Sequence, residues 1–193
     1  MSFVTDPKIL THPNIPKPLH GLSPRALKGK AWWDRVRHAA YESTDYKCLA
    51  CGIHKTEAKG PKWLEAHEYW DIDYQKGICK VEKIIPLCHY CHNFIHSGRL
   101  YMIVGIEKPK QECIEILEHG FKILKDNKLK CFYNTLEIAE ILGANTFKVK
   151  AAKIKVNPEI KWGDWKLILE GQEYHSKFKD ALEWLKYYRE ERF

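Results

Sequence analysis

The chain has 193 residues, 45% hydrophobic and 30% charged, which suits one ordinary domain or a small one with an appended subdomain. No apolar run approaches the roughly 18 residues that span a bilayer, so a membrane protein is excluded from the reading. The net charge of +7, from 32 basic and 25 acidic residues, permits nucleic-acid binding without demonstrating it.

The first 24 residues carry prolines at positions 7, 13, 16, 18 and 24, and read as an extended surface arm. They contain no apolar signal core, so the expected location is cytoplasmic. Residues 1–47 hold eight Lys/Arg against four Asp/Glu, over half of the excess charge. Ser23-Pro24 reads as a helix start, with Pro at the first helical position. A helix over about 25–43 follows, with Trp32, Trp33, Val36, Ala39 and Ala40 on one face.

Cys48-Leu-Ala-Cys51-Gly52 then reads as a tight metal-binding turn. Trp63 to Trp70 reads as a strand, Asp71 to Gly77 as a hairpin loop and Cys79 to Ile85 as the return strand, stopped by Pro86. Cys88 to about Ser97 reads as a second turn and helix, closed by Gly98. Beyond residue 100 the pattern is α+β. It holds helices over Lys110–Leu124, Thr135–Leu142 and Phe178–Tyr188, a strand at Trp165–Gly171 turning through Glu170-Gly171-Gln172, and a linker over about 143–162. Three segments result: the 1–24 arm, a 25–100 knuckle and a 101–193 extension.

The seven cysteines are an odd number in a chain with no signal core, so a disulfide framework is not expected. Cys48, Cys51, Cys88 and Cys91 form two C-x2-C pairs. Each pair can grip one side of a tetrahedral ion, and two pairs close its shell, the pattern of structural Zn²⁺. Cys79, Cys113 and Cys131 read as reduced packing residues. On a helix from Cys91, His92 and His96 stand at i and i+4, projecting from one face, where two imidazoles can chelate a divalent ion. His67, on the preceding strand beside Glu68, is placed to join them. His89 reads as lying on the exposed outside of the turn. His12, His20, His38, His54, His119 and His175 read as structural.

The block Cys-x2-Cys-Gly … Leu-Glu-Ala-His-Glu … Pro-Leu-Cys-x2-Cys-His-x3-His, over about residues 46–97, resembles the His-Asn-His (HNH) endonucleases. The resemblance implies an α+β fold with a zinc-stabilised ββα-metal (treble-clef) core, an N-terminal helix and a C-terminal α+β extension. It implies a metal-dependent endonuclease acting on phosphodiester bonds in DNA. Beside the structural zinc, one catalytic divalent ion (Mg²⁺, Mn²⁺ or another) would sit on His67, His92 and His96 and stabilise the leaving oxygen. A histidine at the end of the first strand would act as general base and activate water. If His67 is a ligand, Glu68 holds the base position; if His67 is the base, the ligand position falls to Ala66. The family's central Asn position is Lys83 here.

A nuclease must also hold phosphates, and Lys83, Arg99, Arg35, Arg37 and Lys62 are the expected contacts. Two other readings stand beside the enzyme. One is an eroded HNH module that binds nucleic acid or a protein without cutting, and the other is a purely structural zinc protein. The region 101–193 is the expected surface for a protein partner or a homo-oligomer.

Overall fold

The computed structural model describes residues 3–12 and 14–190, and the fold is mixed α+β. No helix among the described residues is long and apolar enough to cross a membrane. In chain order the elements are α1 (Pro24–Glu42), β1 (Glu65–Asp73), β2 (Ile78–Leu87), α2 (His89–Ile95), α3 (Ser97–Ile103), α4 (Lys110–Asp126), β3 (Cys131–Phe132), α5 (Tyr133–Leu142), β4 (Ala151–Ala152), β5 (Lys166–Leu169), β6 (Gln172–His175) and α6 (Ala181–Glu190). They cluster into two compact units that interleave along the chain. Unit 1 is Met1–Asn14, Arg37–His67 and Ile85–Lys153; unit 2 is Ile15–Val36, Glu68–Ile84 and Ile154–Phe193. This differs from the sequential arm, knuckle and extension read from composition, because α1, β1 and β2 each contribute to both units.

The N-terminal arm is not simply extended. It forms two short 3-10 turns, Pro7–Thr11 and Lys17–Leu19, and Ile9, Leu10, Leu19 and Leu22 are buried. A 3-10 turn tolerates proline at its start, where the missing N–H has no partner to lose. Asp6 caps the first turn by accepting the Lys8 N–H. Pro13 lies outside the described residues. The α1 helix begins at Pro24 as expected, but Gly29 breaks it with φ 82° and ψ 170°.

In unit 1, α4 packs along α2, while α5 packs against α3 and α4. Phe94 of α2 and Phe121 of α4 meet edge to face, 5.1 Å between centroids, at a core that includes Leu87, Leu100, Ile116, Leu117 and Leu124. Gly120 makes the approach of the two helices feasible: a Cβ there would lie 2.2 Å from the Phe94 ring. Parallel β3 and β4 pair Cys131 with Ala151, so the segment read as a linker over about 143–162 contains a strand that ties it to the core.

In unit 2, β2 pairs parallel with β5 through Ile78–Lys80, and β5 pairs antiparallel with β6. Glu170 and Gly171 turn that hairpin with φ 51° and 78°, as the sequence suggests. Leu19, Leu22, Trp70, Cys79, Trp165 and Leu167 form its core. The last helix starts at Ala181 rather than Phe178. Asp180 Oδ1 accepts the N–H groups of Leu182 and Glu183, and Phe178 is buried ahead of the helix instead.

Three boundaries near the cysteines also differ from expectation. The first strand runs to Asp73, leaving a turn over residues 74–77. Pro86 lies inside β2, because its carbonyl accepts the Leu49 N–H and its missing N–H goes unused. Gly98 does not close the helix. The break falls at His96 (φ −87°, ψ 36°), and Gly98 is inside α3, whose Ser97 hydroxyl meets that of Thr135 at 2.9 Å.

Gly120→Ala tests the helix packing. Helix propensity alone favours Ala by roughly 1 kcal/mol, but the clash with Phe94 reverses the sign. A net loss of ~1–3 kcal/mol is expected, read as a lower midpoint in denaturant unfolding of unit 1.

Candidate metal centre

The two C-x2-C pairs meet. One ligand atom from each of Cys48, Cys51, Cys88 and Cys91 lies within 4.8 Å of all the others. The first pair sits on a turn in which Cys48 N–H donates to Ile53 O and Gly52 N–H to Cys48 O. Gly52 has φ 81°, and a Cβ there would stand 2.9 Å from Thr5. The second pair sits at the start of α2, with Cys88 as the residue before its first turn. All seven thiols are free. The Sγ atoms of Cys51 and Cys88 are 3.8 Å apart, which is no disulfide, and a tetrahedron with metal–sulfur bonds of roughly 2.3 Å has edges of about 3.8 Å.

The electrostatics point the same way. Burial opposes ionisation of Cys48, yet hydrogen bonds from Cys51, Cys88 and Cys91 pull its thiol well below the ordinary range. Cys91 is driven well up, first by Cys48 and then by Cys51 and Cys88. Although Cys48 opposes it, Cys51 is also drawn down, by Cys88 and Cys91, while Cys88 is driven up, so ionisation of one pair comes at the expense of the other, and four thiolates at this spacing require a cation. The site fits a metal ion such as zinc. His119, read from sequence as structural, approaches it, with Nε2 3.4 Å from Cys91 Sγ.

A second cluster lies in the same unit. One ligand atom from each of His67, His92 and His96 lies within 4.8 Å of the others. The α2 helix carries His92 at i and His96 at its C-terminal break, 4.6 Å between ring centroids. His67 enters from β1, with Nδ1 3.2 Å from His96 Nε2. His67 is 1% exposed, and its Nε2 is buried with no hydrogen-bond partner among the described residues. Burial, then the charges of His96 and His92, holds the His67 pKa well below its usual value, and burial lowers that of His96 to about 3. Both rings are therefore neutral at physiological pH, the form that ligates metal.

Behind the imidazoles stands Glu65, a residue that the sequence pattern does not single out. One oxygen accepts from His92 Nδ1 at 2.7 Å and the other from His89 Nδ1. Burial would raise the Glu65 carboxyl, but its hydrogen bonds to His89 and His92 prevail and bring it down to about 2. With its Nδ1–H donating to the carboxylate, His92 presents Nε2 as the lone-pair nitrogen. The chain of contacts continues outward: Lys108 Nζ donates to His89 Nε2 at 3.1 Å and is paired with Glu112. Asn93 Nδ2 donates to His89 O at 2.9 Å, and Gly60 closes over the ring. His89 is thus half-buried in a network rather than on the exposed outside of the turn.

Of Glu65 and Glu68, Glu65 is the carboxylate hydrogen-bonded to the imidazoles, and Glu68 falls in unit 2. His12, also read as structural, stands beside the cluster, its ring 6.3 Å from that of His67 and nearly perpendicular. Of the expected phosphate contacts, Arg99 is close enough to His96 to disfavour its protonation. Arg37 is hydrogen-bonded to Tyr41, Lys62 donates to Ala58 O at 2.6 Å, and Lys83 sits over the Tyr69 ring. Arg35 belongs to unit 2.

Compared with known proteins, the chain matches no family model, no curated protein and no solved structure.

Two measurements test the centre. Elemental analysis of protein loaded with Zn²⁺ and dialysed should give two metals per chain, and one in His67→Ala/His96→Ala. Glu65→Gln should weaken Co²⁺ binding at the histidines by about 10–100-fold, the range typical of lost carboxylate–histidine support, while the four-cysteine metal stays bound. Unchanged Co²⁺ affinity would show that Glu65 does not orient His92.

Proposed function

We propose that this chain is a metal-dependent HNH-type endonuclease that hydrolyses phosphodiester bonds in DNA. In this reading β1, β2 and α2 are the ββα-metal core of a treble clef, and structural Zn²⁺ sits on Cys48, Cys51, Cys88 and Cys91. The observation that carries the proposal is the second cluster: three convergent imidazoles, braced by a carboxylate, in the unit that holds the four thiols. A structural zinc protein has no need of it.

His67, His92 and His96 would hold one divalent ion, Mg²⁺, Mn²⁺ or another. When bound, such an ion supplies Lewis-acid stabilisation of the charge that develops on the scissile phosphate and its leaving oxygen. The protein groups divide the remaining work. Glu65 accepts the hydrogen bond of the His92 Nδ1–H and so fixes the tautomer. Arg99 supplies positive charge for a phosphate beside His96. The proton acceptor for water falls to His12, which flanks His67 on the cluster's margin. His12 takes the place of Glu68 as the acceptor in this reading, because Glu68 falls in unit 2 and His12 in the unit that holds the cluster.

The engagement of Glu65 with His92 and His89 favours one second reading, an eroded HNH-fold module that holds nucleic acid without cutting it. Nicking of supercoiled plasmid by zinc-loaded protein separates the two. Cleavage should require added Mg²⁺, Mn²⁺ or Ni²⁺ and vanish in His67→Ala/His96→Ala. His12→Ala should slow it by about 10²–10⁴-fold while the second metal is retained. DNA retarded on a gel with no cutting under any metal would sink the enzyme and leave the binder.

A further inference from the structure

Far along the chain from the cysteines, unit 1 carries a cleft of about 240 Å³ between the C-terminal end of α4 and the loop that leads into β4. Lys125, Lys128, Lys130, Lys148 and Lys150 line it with Phe147, and no carboxylate does. All five lysines are exposed, and none forms an ion pair among the described residues. Some lysines elsewhere are paired, among them Lys122 with Asp126, Lys108 with Glu112 and Lys166 with Glu173. The Lys125 ammonium is held over the Phe147 ring at 5.6 Å from its centroid. Lys128, Phe147 and Lys148 all have left-handed backbones (φ 56°, 50° and 60°), costly for L-residues, and these turns shape both walls.

Two of these lysines could be explained as complements to the partial negative charge at the end of α4. Five cannot, because the other three either come from the opposite wall or follow the helix at a distance where that field has faded. Like charges gathered without counter-charges repel one another, and an anionic ligand removes that repulsion. The repeat of ammonium groups along two walls of an open cleft matches a charged polymer better than a single small anion.

We propose that this cleft binds the phosphate backbone of a nucleic acid, as a binding surface separate from the histidine cluster. Its ligand class is the sugar–phosphate chain, read through charge and not through base edges. The proposal does not depend on the histidine site being catalytic.

The test uses the full zinc-loaded chain with no added divalent ion, and a short fluorescein-labelled DNA duplex followed by anisotropy across a salt series. A Lys128→Gln/Lys148→Gln/Lys150→Gln variant should bind about tenfold more weakly or worse. Its slope of log affinity against log salt should be shallower by roughly 0.9 for each phosphate no longer neutralised. A control, Lys8→Gln/Lys161→Gln/Lys179→Gln, should change neither. Thermal melts confirm folding, and if the triple variant unfolds, Lys148→Gln and Lys150→Gln are measured singly for the same slope change. Equal weakening in variant and control would show diffuse charge attraction and overturn the proposal. So would wild-type protein that ignores DNA but sediments with anionic phosphatidylserine vesicles. Weakened binding in the variant together with an absence of plasmid nicking would uphold the cleft while removing the enzyme.

Discussion

Four sulfurs within 4.8 Å of one another set the start of α2. Cys88 and Cys91 anchor its first turn, and the next residue, His92, begins the imidazole cluster. A seven-residue helix has little stability of its own. Its position comes from thiols at one end, from Phe94 wedged against Gly120 and Phe121 along one side, and from the break at His96. Loosening the sulfur cluster would therefore blur the direction in which His92 and His96 point. Thiols and imidazoles are coupled through about two turns of backbone.

The carboxylate behind the histidines illustrates a different constraint. A buried acid is costly unless several donors meet it. Glu65 meets the Nδ1 atoms of two imidazoles, and one of them, His89, is itself met by Lys108. The charge is spread over a line of groups from the surface to the cluster. Each member is oriented by the next, so the ligand geometry is set before any ion arrives.

The legible parts of the sequence are those whose signal is local. The C-x2-C pairs and the His92/His96 spacing report contacts within a single turn of chain, and the hairpin at Glu170-Gly171 is set by its two residues. Glu65 is hidden because the resemblance draws attention to Glu68, next to His67, while the hydrogen bonds from Glu65 to His89 and His92 join residues more than twenty positions apart. His12 is hidden because an N-terminal segment rich in proline reads as solvent-exposed, whereas Ile9 and Leu10 draw it into the core. The parallel pairing of β2 with β5 joins segments far apart in the chain, and no pattern within either segment announces its partner. The lysine cleft escapes notice because charge summed over the last half of the chain averages it away.

The interleaving of the two units bears on the order in which the chain is made. Every sulfur and imidazole ligand has been synthesised by His96, whereas α4, which walls in α2, comes later, and unit 1 is complete only at Lys153. Unit 2 waits longer still, since its earliest segment, from Ile15, must find strands that emerge near the end. During elongation a ligand-rich but core-poor intermediate precedes the packed protein. The four thiols could hold an ion at that stage, which would give the nascent chain a chemical means of organising itself before it has a hydrophobic one.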